Sequence, residues 1–513
     1  MAERQSVVLV TVDCLRADHC GFMGYARQTT PFLNSLAAES LVFPTAIVAG
    51  TPTYYSLPAI LASRYPLAWG REVLGFAVRE KNLASALGED GYKTAFFGAA
   101  NPYLSAQFGY EFGFETFCDF LDVDLRHPSA PGDDSTHRGR GAGSLNQVLT
   151  KVTHRIPLLG AAYDELYFQY CQRWAAPRGQ SFDRMRRFPA ANVIVDRAQS
   201  WLASVEEQPF FLWLHFMDPH SPYYPKEEAL KMMGDEKLTA VRAGYLNESW
   251  NRSDLGSKRL RHYRDEIVAL YDAGIRWVDE QLSRLVDGLR ESKRWANCIF
   301  ALTADHGEEF LEHDGRHHAP CLIEELIHVP LLLRVPGVER QTVSSNPFSL
   351  LHLAPTVLEA AGSAIPAEFQ GQSRWTQLMA GTSWSEPAIV ESVAGCTNPF
   401  RGEHRRGSRL LAVRDAEYKL VLNFAAQTEY LFNLKLDPGE RLPSPEQEAK
   451  PARRRLLEIA LAHLRSNARE RSSEACLLPY LQTRVRDIAF HPHRAASAEN
   501  VYPARRPSAS LLG

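Results

Sequence analysis

"SVVLVTVDC", residues 6–14, is the stretch that decides the fold class. Residues 7–12 are apolar or β-branched at every position, so the run lacks the alternation of a half-exposed strand. A strand of this kind is buried on both sides, and its sheet carries helices on both faces. Asp13 follows at once and places a carboxylate at the carboxyl end of the strand. Taken alone, Asp13 fits either a metal ligand or a loop cap.

Four further runs of the same kind lie along the chain. They read "KTAFFGAA", "PFFLWLHFMD", "CIFALTAD" and "VPLLLRVPG", and segments with the i, i+3, i+4 spacing of amphipathic helices separate them. This alternation predicts an α/β fold. Most acidic and histidine clusters come just after one of these runs, at the sheet edge where open α/β folds bind ligands.

The chain of 513 residues is longer than one hydrophobic core usually allows. We expect a large domain over residues 1–384, a C-terminal subdomain over 385–470, and an Arg-, Pro- and Ser-rich tail over 471–513. The segment 127–187 departs from the α/β alternation. It predicts either an inserted loop with a helix over the site or a plain surface insertion.

The composition argues against several classes of protein. A net charge of -3 does not favour a nucleic-acid partner, and the apolar run before Asp13 is too short for a signal peptide or a membrane span. Eight cysteines lack CxxC spacing, so neither a zinc knuckle nor a disulfide framework is predicted. We therefore expect a cytoplasmic protein with no membrane span. Its oligomeric state stays open.

The densest cluster of polar residues is "ALTADHGEEFLEHDGRHH", residues 301–318. Asp305 and His306 directly follow a predicted strand, and carboxylate with imidazole is a donor pair that Mn²⁺ or Zn²⁺ prefers. We predict that Asp305 and His306 bind a metal ion. Glu309 and Glu312 are expected on a solvated helix.

A second histidine pair occurs in "WLHFMDPHSPYYP", residues 213–225. His215 lies within the predicted strand and fits either a core histidine or a site residue. His220 lies in the loop after the strand, where it is predicted to contact a ligand or to donate a proton.

The stretch "TPTYYSLPAILASRYP", residues 51–66, raises the question of a nucleophile. Thr51 precedes a proline, which restricts it to extended geometry, whereas Thr53 can cap the helix that follows. A threonine oxygen at a helix N-terminus also lies where amide groups favour an anion. Thr53 is therefore predicted as a helix cap, a nucleophile or both.

Six blocks resemble the sulfatase family of the alkaline phosphatase superfamily, in the order that the family has them. They are "VTVDCLRADHCGFMGY", "NPYLSAQFGYEFGFETF", "FFLWLHFMDPHSPYYP", "TADHGEEFLEH", "EELIHVPLLLRVPG" and "EYLFNLKLDPGE". The resemblance implies an α/β/α sandwich with a large mixed sheet and a small C-terminal α+β subdomain with an antiparallel sheet. It also implies a divalent metal ion bound by Asp13, Asp305 and His306.

The resemblance places the family's nucleophile on Thr53 and matches Ser56 to the family's serine. Three departures follow. Thr53 replaces Cys or Ser, so no formylglycine is expected; relatives that act on phosphorus esters commonly use an unmodified threonine there. Leu57 stands where the family has arginine. Cys14 replaces the second residue of the family's frequent Asp-Asp pair, which leaves a softer or weaker metal site.

Together these observations predict a hydrolase that cleaves a sulfate, phosphate or phosphonate ester of a small molecule or conjugate. One Mn²⁺, Zn²⁺, Ca²⁺ or Mg²⁺ ion would be bound by the three implied ligands and by Thr53 itself. His220 and His318 are predicted to be catalytic. Substrate binding is predicted for His313, Ser56 and Asn101, and Asn101 fits a capping role as well. The alternatives are transfer of a phosphorylated group to an alcohol, and a non-catalytic binding protein.

Overall fold

The computed structural model describes residues 4–70, 74–121, 181–205, 207–339, 341–344, 346–396, 398–405, 407–444 and 446–467. Most of the predicted insertion at 127–187 and the whole predicted tail at 471–513 lie outside these residues, so both interpretations stay predictions. Within the described residues, no helix combines the length and the apolar character needed to cross a membrane.

The described strands are numbered in chain order. They are β1 (Ser6–Val12), β2 (Leu41–Val42), β3 (Ala46–Ile47), β4 (Lys93–Gly98), β5 (Thr116–Cys118), β6 (Phe210–Phe216), β7 (Cys298–Ala304), β8 (Glu309–Phe310), β9 (Arg316–His317), β10 (His328–Val329), β11 (Leu331–Arg334), β12 (Gln341–Thr342), β13 (Phe348–Ser349), β14 (Ala388–Val393), β15 (Arg409–Arg414), β16 (Tyr418–Asn423) and β17 (Thr428–Asn433).

The described α-helices are named by their residues. They are Pro31–Leu36, Thr53–Ala62, Leu83–Glu89, Phe182–Met185, Ala191–Ser204, Glu227–Met233, Ala240–Asn251, Ser257–Leu260, Arg264–Glu291, Glu324–Ile327, Leu353–Ala360, Trp375–Met379, Gly402–Arg405 and Glu446–Asn467.

The large sheet has eight strands in the order β12-β2-β11-β7-β1-β6-β4-β5. β1 lies at its centre, parallel to both β6 and β7, while β11 runs antiparallel to β7 and makes the sheet mixed. Every residue of β1, β6 and β7 is buried. Strands buried on both faces need helices on each side, so the predicted α/β class with a large mixed sheet is confirmed.

Two groups of helices cover this sheet. The long helix Arg264–Glu291 packs against Ala191–Ser204 and Glu227–Met233, whereas Thr53–Ala62 packs against Leu83–Glu89 and Leu353–Ala360. Arg264–Glu291 is amphipathic, and its apolar positions lie within the main hydrophobic core.

The C-terminal part contains a four-stranded antiparallel sheet in the order β14-β15-β16-β17. The helix Glu446–Asn467 packs on β15 and β16, and together they enclose a separate core that includes Leu411, Leu422 and Leu457. These elements all fall within residues 385–470. The predicted antiparallel C-terminal subdomain is therefore present.

Candidate active site

Polar side chains from several strands meet at the carboxyl edge of the large sheet. Asp13 follows β1 and Asp305 follows β7, and the register aligns Val12 with Ala304, so the two carboxylates leave neighbouring strands at the same level. Asn101 comes from the loop after β4 and donates a hydrogen bond from Nδ2 to Asp13 Oδ2 at 3.1 Å. The sheet topology thus brings together residues far apart in the sequence.

Asp13, Asp305 and His306 form a completely buried cluster of possible metal ligands. One ligand atom from each lies within 4.8 Å of the others. His306 Nε2 is 3.7 Å from Asp13 Oδ1 and 3.6 Å from Asp305 Oδ2. The structure therefore brings together the three residues that were predicted as metal ligands, and their binding of a metal ion stays a prediction.

The orientation of His306 directs one ring nitrogen, Nε2, toward the cluster. Nδ1 lies 2.8 Å from the carbonyl oxygen of Gly307, a group that can only accept a hydrogen bond, so Nδ1 carries the proton and Nε2 is the basic nitrogen. This is the hydrogen-bond pattern by which proteins orient a metal-binding histidine.

Thr53 joins this cluster. Its side-chain Oγ1 lies 3.1 Å from His306 Nε2 and donates a hydrogen bond to it. Thr53 is the first residue of the helix Thr53–Ala62, whose N-terminal cap is Pro52, so the prediction that Thr53 caps this helix is wrong. The side-chain oxygen faces the cluster instead of the helix amides, because it bonds His306.

Three residues close to Thr53 in the chain, Thr51, Ser56 and Leu57, are buried. Ser56 is buried one turn along the helix, and its Oγ donates to the carbonyl oxygen of Thr53 at 3.3 Å. Thr51, the rival nucleophile, is buried, and its carbonyl oxygen accepts a hydrogen bond from Ser392 Oγ at 2.7 Å. Leu57, where the family has arginine, lies within the main hydrophobic core.

His220 and His318 form one wall of the site. Their rings lie 4.9 Å apart, and the His318 ring lies 4.6 Å from that of His306. Burial lowers the pKa of His220. Burial alone would also lower the pKa of His318, but the Glu308 carboxylate, 3.5 Å away, raises it above the ordinary histidine value.

Two more residues, His215 and Glu308, lie near the cluster. From the sequence, His215 fitted two roles and Glu308 was given none. His215 is fully buried, with Nε2 3.6 Å from Asp13 Oδ2 and Nδ1 2.9 Å from Thr11 Oγ1, so it is a core residue that also contacts the site. Glu308 is fully buried beside His318. In the sequence, its position two residues after His306 was the one indication that Glu308 lies near the site.

Asn101 makes the local capping contact that was one of its two predicted roles, and its role in binding substrate stays a prediction. Besides its bond to Asp13, its Oδ1 accepts from the amide of Tyr103 at 3.0 Å, which closes a local turn. His313 lies in a separate group with Glu325 and Glu440, and its Nε2 is 3.2 Å from Glu325 Oε2. Binding of substrate by His313 stays a prediction.

The predicted solvated helix with Glu309 and Glu312 is wrong. Glu309 lies in β8 and is fully buried, and its carboxylate accepts from the amide of Gly315 at 2.8 Å. Glu312 pairs with Arg16 at 2.8 Å and with Arg264 at 3.1 Å. Buried amides and guanidinium groups need acceptors, and these carboxylates supply them where a helix pattern suggested solvent.

The cluster fits a divalent cation. Asp305 Oδ2 is buried and accepts no hydrogen bond from the described residues. Burial and the neighbouring Asp13 carboxylate raise the pKa of Asp305. Two carboxylates side by side in a dry site need a compensating positive charge, and two carboxylates with one imidazole suit a divalent ion.

The chain is similar to known enzymes along most of its length. The chain is 25% identical over 466 residues to an arylsulfatase of Clostridium perfringens, which covers 85% of this chain and 89% of that protein. It is 23% identical over 495 residues to the multifunctional alkaline phosphatase superfamily protein PehA of Trinickia caryophylli, covering 85% and 90% of the two chains.

The fold is also that of a solved structure, the phosphonate monoester hydrolase of Silicibacter pomeroyi, with a TM-score of 0.62 at 18% identity over 91% of this chain and 96% of that chain. The C-terminal family of N-sulphoglucosamine sulphohydrolase matches residues 313–466. The family described as Sulfatase matches residues 5–363, most of the chain. The chain therefore belongs to the sulfatase family.

Proposed function

We propose that this protein is a metal-dependent hydrolase that cleaves a sulfate, phosphate or phosphonate ester, with Thr53 as the nucleophile. Membership of the sulfatase family makes the chain an ester hydrolase. The observation that carries the finer proposal is the position of Thr53 Oγ1, 3.1 Å from His306 Nε2 and beside the buried carboxylates of Asp13 and Asp305.

The roles of the residues follow from their positions. Asp13, Asp305, His306 and Thr53 Oγ1 would hold one divalent ion, which supplies positive charge that stabilises an oxyanion. Thr53 Oγ1 forms a bond to the sulfur or phosphorus atom and loses its proton to solvent, while the bond from that atom to the leaving oxygen breaks. His220 or His318 gives the leaving oxygen a proton. Water then hydrolyses the Thr53 ester and restores the hydroxyl.

An unmodified threonine favours phosphorus over sulfur in this proposal, because the aldehyde hydrate of formylglycine cannot form from a threonine side chain. The named relatives span both chemistries: the protein from Clostridium perfringens is an arylsulfatase, and that from Silicibacter pomeroyi is a phosphonate monoester hydrolase. A panel of aryl phosphate monoester, phosphate diester, phosphonate monoester and sulfate ester would rank them.

The test of the nucleophile is Thr53→Ala assayed on the best substrate of that panel. Removal of the nucleophile is expected to lower kcat/KM by about a hundredfold or more, measured with the metal ion in excess so that loss of the Thr53 ligand does not empty the site. Thr51→Ala is the matched control, since Thr51 is equally buried two residues away, and it should retain activity within about tenfold.

Full activity in Thr53→Ala would end the nucleophile proposal and leave the family membership intact. Product analysis in the presence of a simple alcohol separates hydrolysis from transfer. A phosphorylated alcohol as the main product would show that the protein is a transferase and not a hydrolase.

A further inference from the structure

Cys14 lies against the candidate metal site formed by Asp13, Asp305 and His306. It follows Asp13 in the chain, is fully buried, and has its thiol 3.0 Å from Asp13 Oδ1. On its other side Cys14 Sγ is 3.4 Å from His318 Nδ1. The cysteine side chain therefore lies between a carboxylate at the candidate metal site and a histidine of its wall.

Two further sets of donor atoms include this thiol. Cys14, His306 and His318 offer one sulfur and two nitrogen atoms that all lie within 4.8 Å of one another, and so do Cys14, Asp13 and His220 with sulfur, oxygen and nitrogen. Each set shares one residue with the Asp13, Asp305 and His306 cluster. A cation bound by His306 or Asp13 is thus within reach of the sulfur.

These donor sets differ in chemistry from an all-oxygen site. Ca²⁺ and Mg²⁺ take oxygen ligands, whereas one sulfur with two imidazoles is a donor set typical of zinc. An independent observation is Asp305 Oδ2, a fully buried carboxylate oxygen that accepts no hydrogen bond from the described residues and lies 3.6 Å from His306 Nε2. Such an oxygen needs a partner, and a cation supplies one.

A cation would also change the state of the thiol. The Cys14 thiol donates a hydrogen bond from Sγ to Asp13 Oδ1 at 3.0 Å. A coordinating metal ion removes that proton outright.

We propose that Cys14 is a thiolate ligand of the cation at this site, and that the cation is consequently of the zinc class rather than calcium or magnesium. The sulfur–metal bond forms as the thiol proton passes to solvent, and no electron is transferred. This proposal rests on the metal-binding part of the proposed function and narrows it to one kind of ion.

The first test uses the wild-type protein, purified without chelator, loaded with one equivalent of Zn²⁺ and examined by X-ray absorption at the zinc edge. One sulfur neighbour at about 2.3 Å is expected beside nitrogen and oxygen neighbours at about 2.0–2.2 Å. A shell of nitrogen and oxygen alone would overturn the proposal, and this measurement needs no variant to fold.

The second test replaces the zinc with Co²⁺, which reports a thiolate ligand by a sulfur-to-cobalt charge-transfer band in the near ultraviolet. We expect the band in wild type and its loss in Cys14→Ser with cobalt still bound. Cys298→Ser is the matched control, because Cys298 is also a fully buried thiol but lies at the opposite end of β7 from Asp305. A band that persists in Cys14→Ser would contradict thiolate ligation by Cys14.

The third test is metal preference. Cys14→Asp replaces the soft donor with a hard one, so the ratio of Zn²⁺ to Ca²⁺ affinity should fall by at least about tenfold, since even outer-shell changes cost 10–100-fold in metal affinity. An unchanged ratio counts against the proposal. These readouts do not depend on turnover. A sulfur–metal bond in a protein that cleaves none of the esters would disprove the proposed function but would still show that Cys14 is a ligand.

Discussion

His306 shows how much of the site depends on a single neighbouring residue. Its Nδ1 donates to the carbonyl oxygen of Gly307, and the amide of Gly307 donates to the carbonyl oxygen of Leu326 at 3.0 Å. A side chain on Gly307 would overlap the backbone oxygen of Glu325. Residue 307 must be glycine because the backbone of the helix Glu324–Ile327 passes directly against it.

We therefore predict that Gly307→Ala lowers metal affinity by about 10–100-fold, because the peptide group that orients His306 has to move. Binding of Zn²⁺ measured by calorimetry is the direct readout. Gly256→Ala is the control, since an added Cβ there has open space around it. Equal metal affinities of Gly307→Ala and wild type would show that the turn does not orient the ligand.

Single residues also mark what the sequence could and could not predict. Asp305 and His306 were predicted as ligands because they directly follow a buried apolar run, whereas Asp13 alone fitted a ligand or a loop cap and was assigned to the metal by the family resemblance. The burial of Glu309 was missed, since it depends on the amides of a turn formed six residues later. The contact of His215 with Asp13 was left open because it requires β1 and β6 to be neighbours, which spacing along the chain does not state.

Among the elements, the short helix Leu353–Ala360 carries a histidine at its N-terminal end. Nδ1 of His352 accepts from the amide of Gln372 at 3.0 Å, and Nε2 lies 3.4 Å from the guanidinium of Arg374. Burial, and then Arg374, lower the pKa of His352 to about 3. A positive charge at a helix N-terminus is unfavourable as well, so the folded element needs a neutral imidazole.

The sign of the pH effect follows from this shift. In the unfolded chain His352 takes up a proton below about pH 6.5, whereas in the folded protein it stays neutral to about pH 3. The free energy of unfolding should therefore fall by about 1–2 kcal/mol from this residue between pH 6.5 and pH 5. His352→Asn, which keeps an acceptor for Gln372, should remove that share of the slope in urea titrations. Identical slopes for variant and wild type would exclude His352 as the cause.

At the scale of the whole molecule, the C-terminal sheet supports the loop before the nucleophile. The amide of Glu391 in β14 donates to the carbonyl oxygen of Ala49 at 2.9 Å, and Ser392 Oγ donates to Thr51. Gly50 forms a β-bridge with Glu391 between these two bonds. The subdomain is thus part of the site's framework, although the sequence alone predicted only its presence.

The same interface contains a fully buried lysine. Lys419 in β16 lies 2.6 Å from Glu440 Oε1 and 3.1 Å from Glu324 Oε1, and it donates to the carbonyl oxygen of Leu322 at 2.8 Å. It links the C-terminal sheet to the helix Glu324–Ile327, which follows Asp305 and His306 in the chain. Without it the fully buried Glu440 would lose its charge partner, whereas Glu324 still pairs with Arg414 at 3.4 Å.

Lys419→Ala is accordingly expected to destabilise the whole protein, by about 3–5 kcal/mol, because it leaves the fully buried Glu440 carboxylate without its charge partner. Urea unfolding followed by both circular dichroism and tryptophan fluorescence measures this loss, and the two transitions should coincide if the two parts unfold together. Lys435→Ala is the control: Lys435 is 65% exposed and pairs with Glu417 at 3.4 Å, and its loss should change the unfolding free energy by less than about 0.5 kcal/mol. Two separate transitions in wild type, with only the C-terminal one shifted by Lys419→Ala, would mean that the subdomain is an appendage and not a support for Thr53.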